Sequence, residues 1–86
     1  MKRDPDFFGD KEPHLIYIAK KLKEALRLEG MLTESGVEYA VQTDKYSGGV
    51  LFRSERVGAF FYVLPEALEQ AHEVMRKNGF RIFQEQ

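Results

Sequence analysis

Residues 57–64 read Val57-Gly58-Ala59-Phe60-Phe61-Tyr62-Val63-Leu64, and Pro65-Glu66-Ala67-Leu68 follows without a break. An aromatic and β-branched run that is apolar on both faces describes a strand in the interior of a sheet. Pro65, with φ already near the helical value and no N–H to lose, suits the first position of a helix, so strand runs directly into helix. That helix carries Ala67, Leu68, Ala71, Val74 and Met75 at three- and four-residue steps as its buried stripe. Glu66 and Glu69 near its start and Arg76 and Lys77 in its last turn match the helix dipole, and Gly79 supplies a stop. Phe80 to Gln84 then reads as a short terminal strand. With Val57, Ala59, Phe61 and Val63 toward the helices, Gly58, Phe60 and Tyr62 face the other way.

The first half repeats the same alternation of elements. His14 to Ala19 (HLIYIA) reads as a strand buried on both faces. A competing helical stripe through Leu15, Ile18, Ala19, Leu22, Ala25 and Leu26 would leave two of the four consecutive apolar residues 15–18 exposed, which favours the strand. From Lys20 to Ser35 the period is helical, with Leu22, Ala25, Leu28 and Leu32 as the stripe and Gly36 as its stop. Glu29 sits at the edge of that stripe, and Gly30 is read as a close approach of helix to sheet. Residues 37–43 alternate, with Val37, Tyr39 and Val41 on one face and Glu38 and Gln42 on the other. A connection from Asp44 to Arg56 completes the chain. The order is strand, helix, strand, strand, helix, strand. Right-handed crossovers applied to it give an α+β, ferredoxin-like βαββαβ sandwich. Its expected sheet is four-stranded and antiparallel, order 4-1-3-2, with both helices on one face and the two most hydrophobic strands in the centre.

Several of these junctions resemble a known family. Tyr17-Ile18-Ala19 at a strand end, Glu24-Ala25, Gly30-Met31-Leu32 and Gly36-Val37 in and after the helix, and Val63 to Ala71 entering the second helix are similar to the prokaryotic signal-transducing domain family. Its members are small ferredoxin-like proteins likened in shape to the nitrogen-regulatory PII proteins. The resemblance spans roughly residues 15–79 and implies a regulatory role. It carries over no catalytic residues.

Composition bounds the rest. The chain has 86 residues, 13 basic and 14 acidic side chains, two histidines and no cysteine. That is one small domain, read here as residues 14–86, with residues 1–13 as an N-terminal arm that is either flexible or docked on the body or a partner. Phe7 and Phe8 are the reason for docking, because two adjacent Phe left in water forgo burial. Without cysteine there is no disulfide framework, thiolate zinc site or cysteine nucleophile, and the chain suits a reducing cytoplasm. No apolar run approaches the ~20 residues of a membrane helix, and Met1 to Asp6 has no signal-peptide core. A formal charge of -1 gives no drive toward nucleic acid.

No catalytic set, metal site or cofactor motif is visible. His14 begins a strand, and His72 is placed on the exposed side of the second helix beside Glu69 and Glu73, the position of a structural histidine. Asp4-Pro5-Asp6-Phe7-Phe8-Gly9 opens like a calcium loop but has Phe8 at its fifth position and Leu15 where a glutamate is needed. Two candidate sites remain. In the 44–56 connection, Lys45, Gly48, Gly49, Arg53 and Arg56 could hold a small anionic ligand, while Val50, Leu51 and Phe52 need a surface to pack on. On the sheet face without helices, Tyr17, Phe60, Tyr62 and Phe83 form an aromatic patch for a second subunit or a ligand. The expected function is therefore a non-enzymatic regulatory, ligand-sensing or protein-interaction module working as a homodimer. The alternative is a single-stranded nucleic-acid binder in the manner of RNA-recognition motifs. Arg56, Ala59 and Phe60 fit the third-strand motif of those domains, whereas Val57 and Gly58 do not.

Overall fold

The computed structural model describes residues 2–3, 5–9, 11–47 and 55–81. Its elements are strand β1 (Lys2–Arg3), a single 3-10 turn (Pro5–Phe8), β2 (His14–Ala19), helix α1 (Leu22–Glu34), β3 (Tyr39–Ser47), β4 (Glu55–Val63) and α2 (Pro65–Lys77). The result is an α+β fold in which two helices pack on one side of a four-stranded mixed sheet of order β1-β3-β4-β2.

The neighbours β2-β4-β3 are the first, third and second strands of the sequence reading, and both pairs are antiparallel. The sheet departs from the expected all-antiparallel order 4-1-3-2 at its edge. Lys2 and Arg3 add as a strand parallel to Tyr39 and Ala40. Lys2 Nζ lies 3.1 Å from a Glu29 carboxylate oxygen, and Arg3 Nη2 donates to Glu38 at 2.7 Å. These two pairs tether the arm where the β3 edge would otherwise present open backbone groups. The expected fourth strand, 80–84, falls mostly outside the described residues, and Phe80 and Arg81 are not in a strand.

β4 pairs along most of its length with a long strand on each side, β2 and β3, and its alternation sets the core. Phe61 and Val63 are fully buried under the helices together with Ile16, Leu28, Leu32, Tyr39, Ala71 and Met75. The Tyr39 and Phe61 rings stack with centroids 6.1 Å apart. The Tyr39 hydroxyl donates to the Glu29 carbonyl at 3.0 Å and lies 2.9 Å from the Thr33 hydroxyl, so this buried phenol is satisfied by α1. Both helices end as their glycines foretell. Gly36 and Gly79 have φ of 75° and 80°. Val37 N–H reaches the Leu32 carbonyl at 3.0 Å and Phe80 N–H reaches that of Met75 at 2.9 Å, the six-to-one bond of a Schellman cap. The apolar residues at the ends of each cap, Val37 with Leu32 and Phe80 with Met75, are all part of the buried core.

Four local expectations change. The second strand runs 39–47 rather than 37–43, leaving Val37 in the helix cap, and the hairpin's strands extend into the segment read as a connection. Val57, which alternation places on the helix side, is 58% exposed because β4 continues past Ala59, the partner of the last β2 residue. Leu22 is 75% exposed in the first turn of α1 and is not part of the buried stripe. Gly30 makes no close approach to the sheet. It is exposed, and a Cβ built on it would meet nothing within 4 Å.

Phe61→Ala removes the ring at the centre of this core. It is expected to lower stability by ~3–5 kcal/mol, read from the midpoint of a urea titration.

Candidate interaction face

The sheet surface opposite the helices is built from alternate residues of three strands. Pairing sets Tyr62 against Leu15 on one side and Ala40 on the other, and Phe60 against Ile18 and Gln42. Gly58 and Asp44 continue the same rows. Leu15, Ile18, Phe60 and Tyr62 are each half-buried, Ala40 is buried and Gln42 is exposed.

Tyr17 is not on this face, contrary to the sequence reading. The β2–β4 register shifts between Leu15 and Tyr17, so Ile16 is an extra residue in β2. A bulge of this kind sends two consecutive side chains the same way. Ile16 and Tyr17 both join the helix-side cluster, and the Tyr17 ring packs edge-on against Phe80 at 5.2 Å. Arg27 lies over the other partner of that pair, 4.9 Å from the Phe80 centroid, and its Nη2 donates to the Asn78 carbonyl at 2.8 Å. Burial, with the Glu24 carboxylate second, pushes the Tyr17 phenol above its ordinary value. Strict alternation could not reveal the bulge, since it depends on how β2 fits β4.

The arm lies across the β3 side of the face. The turn Pro5–Phe8 closes with Gly9 N–H to the Asp6 carbonyl at 3.1 Å, and Gly9 takes φ 55°. Phe8 is only 3% exposed and forms a second apolar cluster with Ala40 and Leu64, against which Tyr62 packs. Of the docking alternatives for Phe8, the structure thus shows the chain's own sheet. The side chain of Phe7 lies outside what the structure describes. Arg3 holds the Glu38 carboxyl below its usual range, chiefly through their hydrogen bond. Between arm and sheet lies an open cleft of about 250 Å³ lined by Phe8, Pro13, Ala40, Gln42 and Tyr62. The signals for it in the sequence are Phe8, Tyr62 on the open face of β4 and the polar alternation that puts Gln42 on this side. Pro13 and Ala40 gave none.

The other candidates are not brought together. Lys45 and Arg56 lie in the paired part of the hairpin, opposite Val57 and Tyr46. Gly48, Gly49 and Arg53, with Val50, Leu51 and Phe52, lie outside the described residues, as does Phe83. Among the described residues no group of three His, Asp or Glu side chains could hold a metal ion. No helix among them is long and apolar enough to cross a membrane.

His72 is half-buried rather than on the open side of α2, and its Nε2 is buried without a hydrogen-bond partner. Burial first, and Arg76 second, push its pKa below the ordinary histidine value. Four residues beyond Leu68 on a 3.6-residue helix, it falls at the margin of the buried stripe.

Two outcomes follow from this geometry. Phe8→Ala is expected to release the arm while residues 14–81 stay folded, and trypsin should then cleave after Lys11 about tenfold faster or more, followed by mass spectrometry. Because folding depresses the His72 pKa, the unfolded state binds more protons once pH falls below ~6.5. Its contribution is complete above that pH and is lost as pH falls through the folded value. Thermal melts of the wild type against His72→Gln at about pH 7.5 and about pH 5.5 should show the wild type losing more on acidification.

No family model, curated protein or solved structure matches this chain.

Proposed function

We propose that this chain is a non-enzymatic protein-interaction module that binds a protein partner on the outer face of its sheet. The observation that carries the reading is the cleft between Phe8 and Tyr62, continuous through the β4 row with half-buried Phe60. At about 250 Å³ it is smaller than the ~300–1,000 Å³ of a typical small-molecule site, and it is open on one side. That size and an apolar lining with one exposed amide, Gln42, suit an anchoring side chain on a partner's surface rather than a free metabolite. Phe8 gives part of this face to the chain's own arm, which speaks against a second copy as the occupant here.

Two sequence readings support a regulatory role of this kind. The β2-β4-β3 run with both helices on one side is compatible with a ferredoxin-like split βαβ, in which residues 80–84 would lie beside β2. The resemblance read at the junctions within residues 15–79 implies a role of the same kind. The nucleic-acid alternative keeps Phe60 and Tyr62 as stacking surfaces but has Tyr17 turned to the helices.

Peptide-display selection on the immobilised chain, with Phe60→Ser as the counter-target, tests the reading. Peptides carrying an apolar anchor are expected, and their affinity should fall about tenfold or more on Phe60→Ser while that variant keeps its circular dichroism and melting cooperativity. Peptides that bind both forms equally would overturn it. So would selection of none while a labelled single-stranded RNA binds at low salt.

A further inference from the structure

The outer side of α1 carries a row that the fold does not use. Leu22 is 75% exposed and Leu26 57% exposed, and Gly30 follows at the same four-residue step. Residues spaced by four form one ridge on a helix surface. Gly is the poorest helix former after Pro, and it gains acceptance inside a helix where something must come close. Among the described residues, nothing outside the helix's own neighbouring backbone comes within 4 Å of where a Cβ at Gly30 would stand. The ridge is therefore two largely exposed apolar knobs, outside both buried clusters, and a notch that no described side chain fills.

The charges along the same helix are polarised in an unusual sense. Lys20, Lys21 and Lys23 are exposed at the N-terminal end, where the dipole is positive, and the N-cap Lys21 makes no side-chain capping bond. The last turn holds no basic residue and ends in exposed Glu34. With Glu24 as the only acidic residue of the first turn, the three lysines leave the N-terminal end net basic, so the net charge of each end opposes its own dipole and complements the other end.

We propose that α1 is a self-association surface on which a second copy of this chain seats its own α1 antiparallel. The two-fold axis passes beside Leu26, which meets Leu26 of the second copy, and Leu22 of each copy lies over Gly30 of the other. Such a contact is isologous and closes on itself. Ridges of four-residue spacing from the two helices interdigitate, and the glycine lets the axes approach. The antiparallel sense brings the lysines of one copy toward Glu34 of the other and opposes the two dipoles. This surface is separate from the outer sheet face, so the inference goes beyond the proposed function and does not rest on it.

Light scattering behind a sizing column, on the full chain from micromolar to millimolar concentration, is the first measurement. A mass near twice 10.0 kDa is expected for the wild type, with Leu26→Glu shifting it to 10.0 kDa without changing the circular dichroism or the binding of outer-face peptides. The chain has no cysteine, so Leu26→Cys provides a second readout that needs no disruptive charge. With oxidised glutathione it should form a covalent dimer, whereas Glu69→Cys on the exposed side of α2 should not. A wild-type mass that stays at 10.0 kDa throughout overturns the proposal. A dimer that survives Leu26→Glu, or fails to cross-link through Leu26→Cys, also overturns it.

Discussion

Phe61 has no exposed surface, and it sits on the one strand that is hydrogen-bonded to a long neighbour on both sides. Seating its ring beneath the helices, stacked on Tyr39, fixes the alternation of β4. Ala59 and Val63 then join the same core, and Phe60 and Tyr62 are committed to the other surface. A slip of one residue would exchange the two sets, burying residues now half-exposed and exposing the core row. The bulge in β2 answers the same constraint, because it lets Ile16 and Tyr17 both fill the helix side while Leu15 and Ile18 keep their places opposite Tyr62 and Phe60.

The two faces of the sheet are finished differently. On the helix side, glycine caps close both helices and the Tyr39 hydroxyl is hydrogen-bonded to both the Glu29 carbonyl and Thr33, while His72 Nε2 stays buried without a partner. On the other side the cover is a short arm. Its ion pairs, Lys2 with Glu29 and Arg3 with Glu38, are partly open to solvent, where such pairs contribute little. Phe8 supplies the greater share, since an aromatic ring buried among Ala40, Leu64 and Tyr62 removes far more apolar surface from water. The outer face is thus the part of the molecule most able to change without unfolding the rest.

Most of this is legible in the residue order wherever one segment carries its own signal. The proline that opens α2, the stops at Gly36 and Gly79 and the alternation that buries Phe61 and turns Phe60 away are where their local patterns place them, and the strand read at 57–64 is found at 55–63. The misreadings share a cause. Tyr17 was assigned by strict alternation, Gly30 by the commonest reason for a helical glycine, and Leu22 by its helical step. In each case the outcome turned on which atoms lay next to the residue.

What the sequence by itself determined is the set of local conformations and periods: positive φ at two helix ends, a two-residue alternation in β4 and a 3.6-residue stripe in α2. These are properties of a residue and its near neighbours, so they are written in short windows. Only the tertiary structure decided that Ile16 would bulge, that Lys2 and Arg3 would pair with Tyr39 and Ala40, and that Phe8 would close over Ala40 and Leu64. Each joins segments tens of residues apart. Their meeting depends on how whole strands and helices fit together, which a pattern of residue types does not encode.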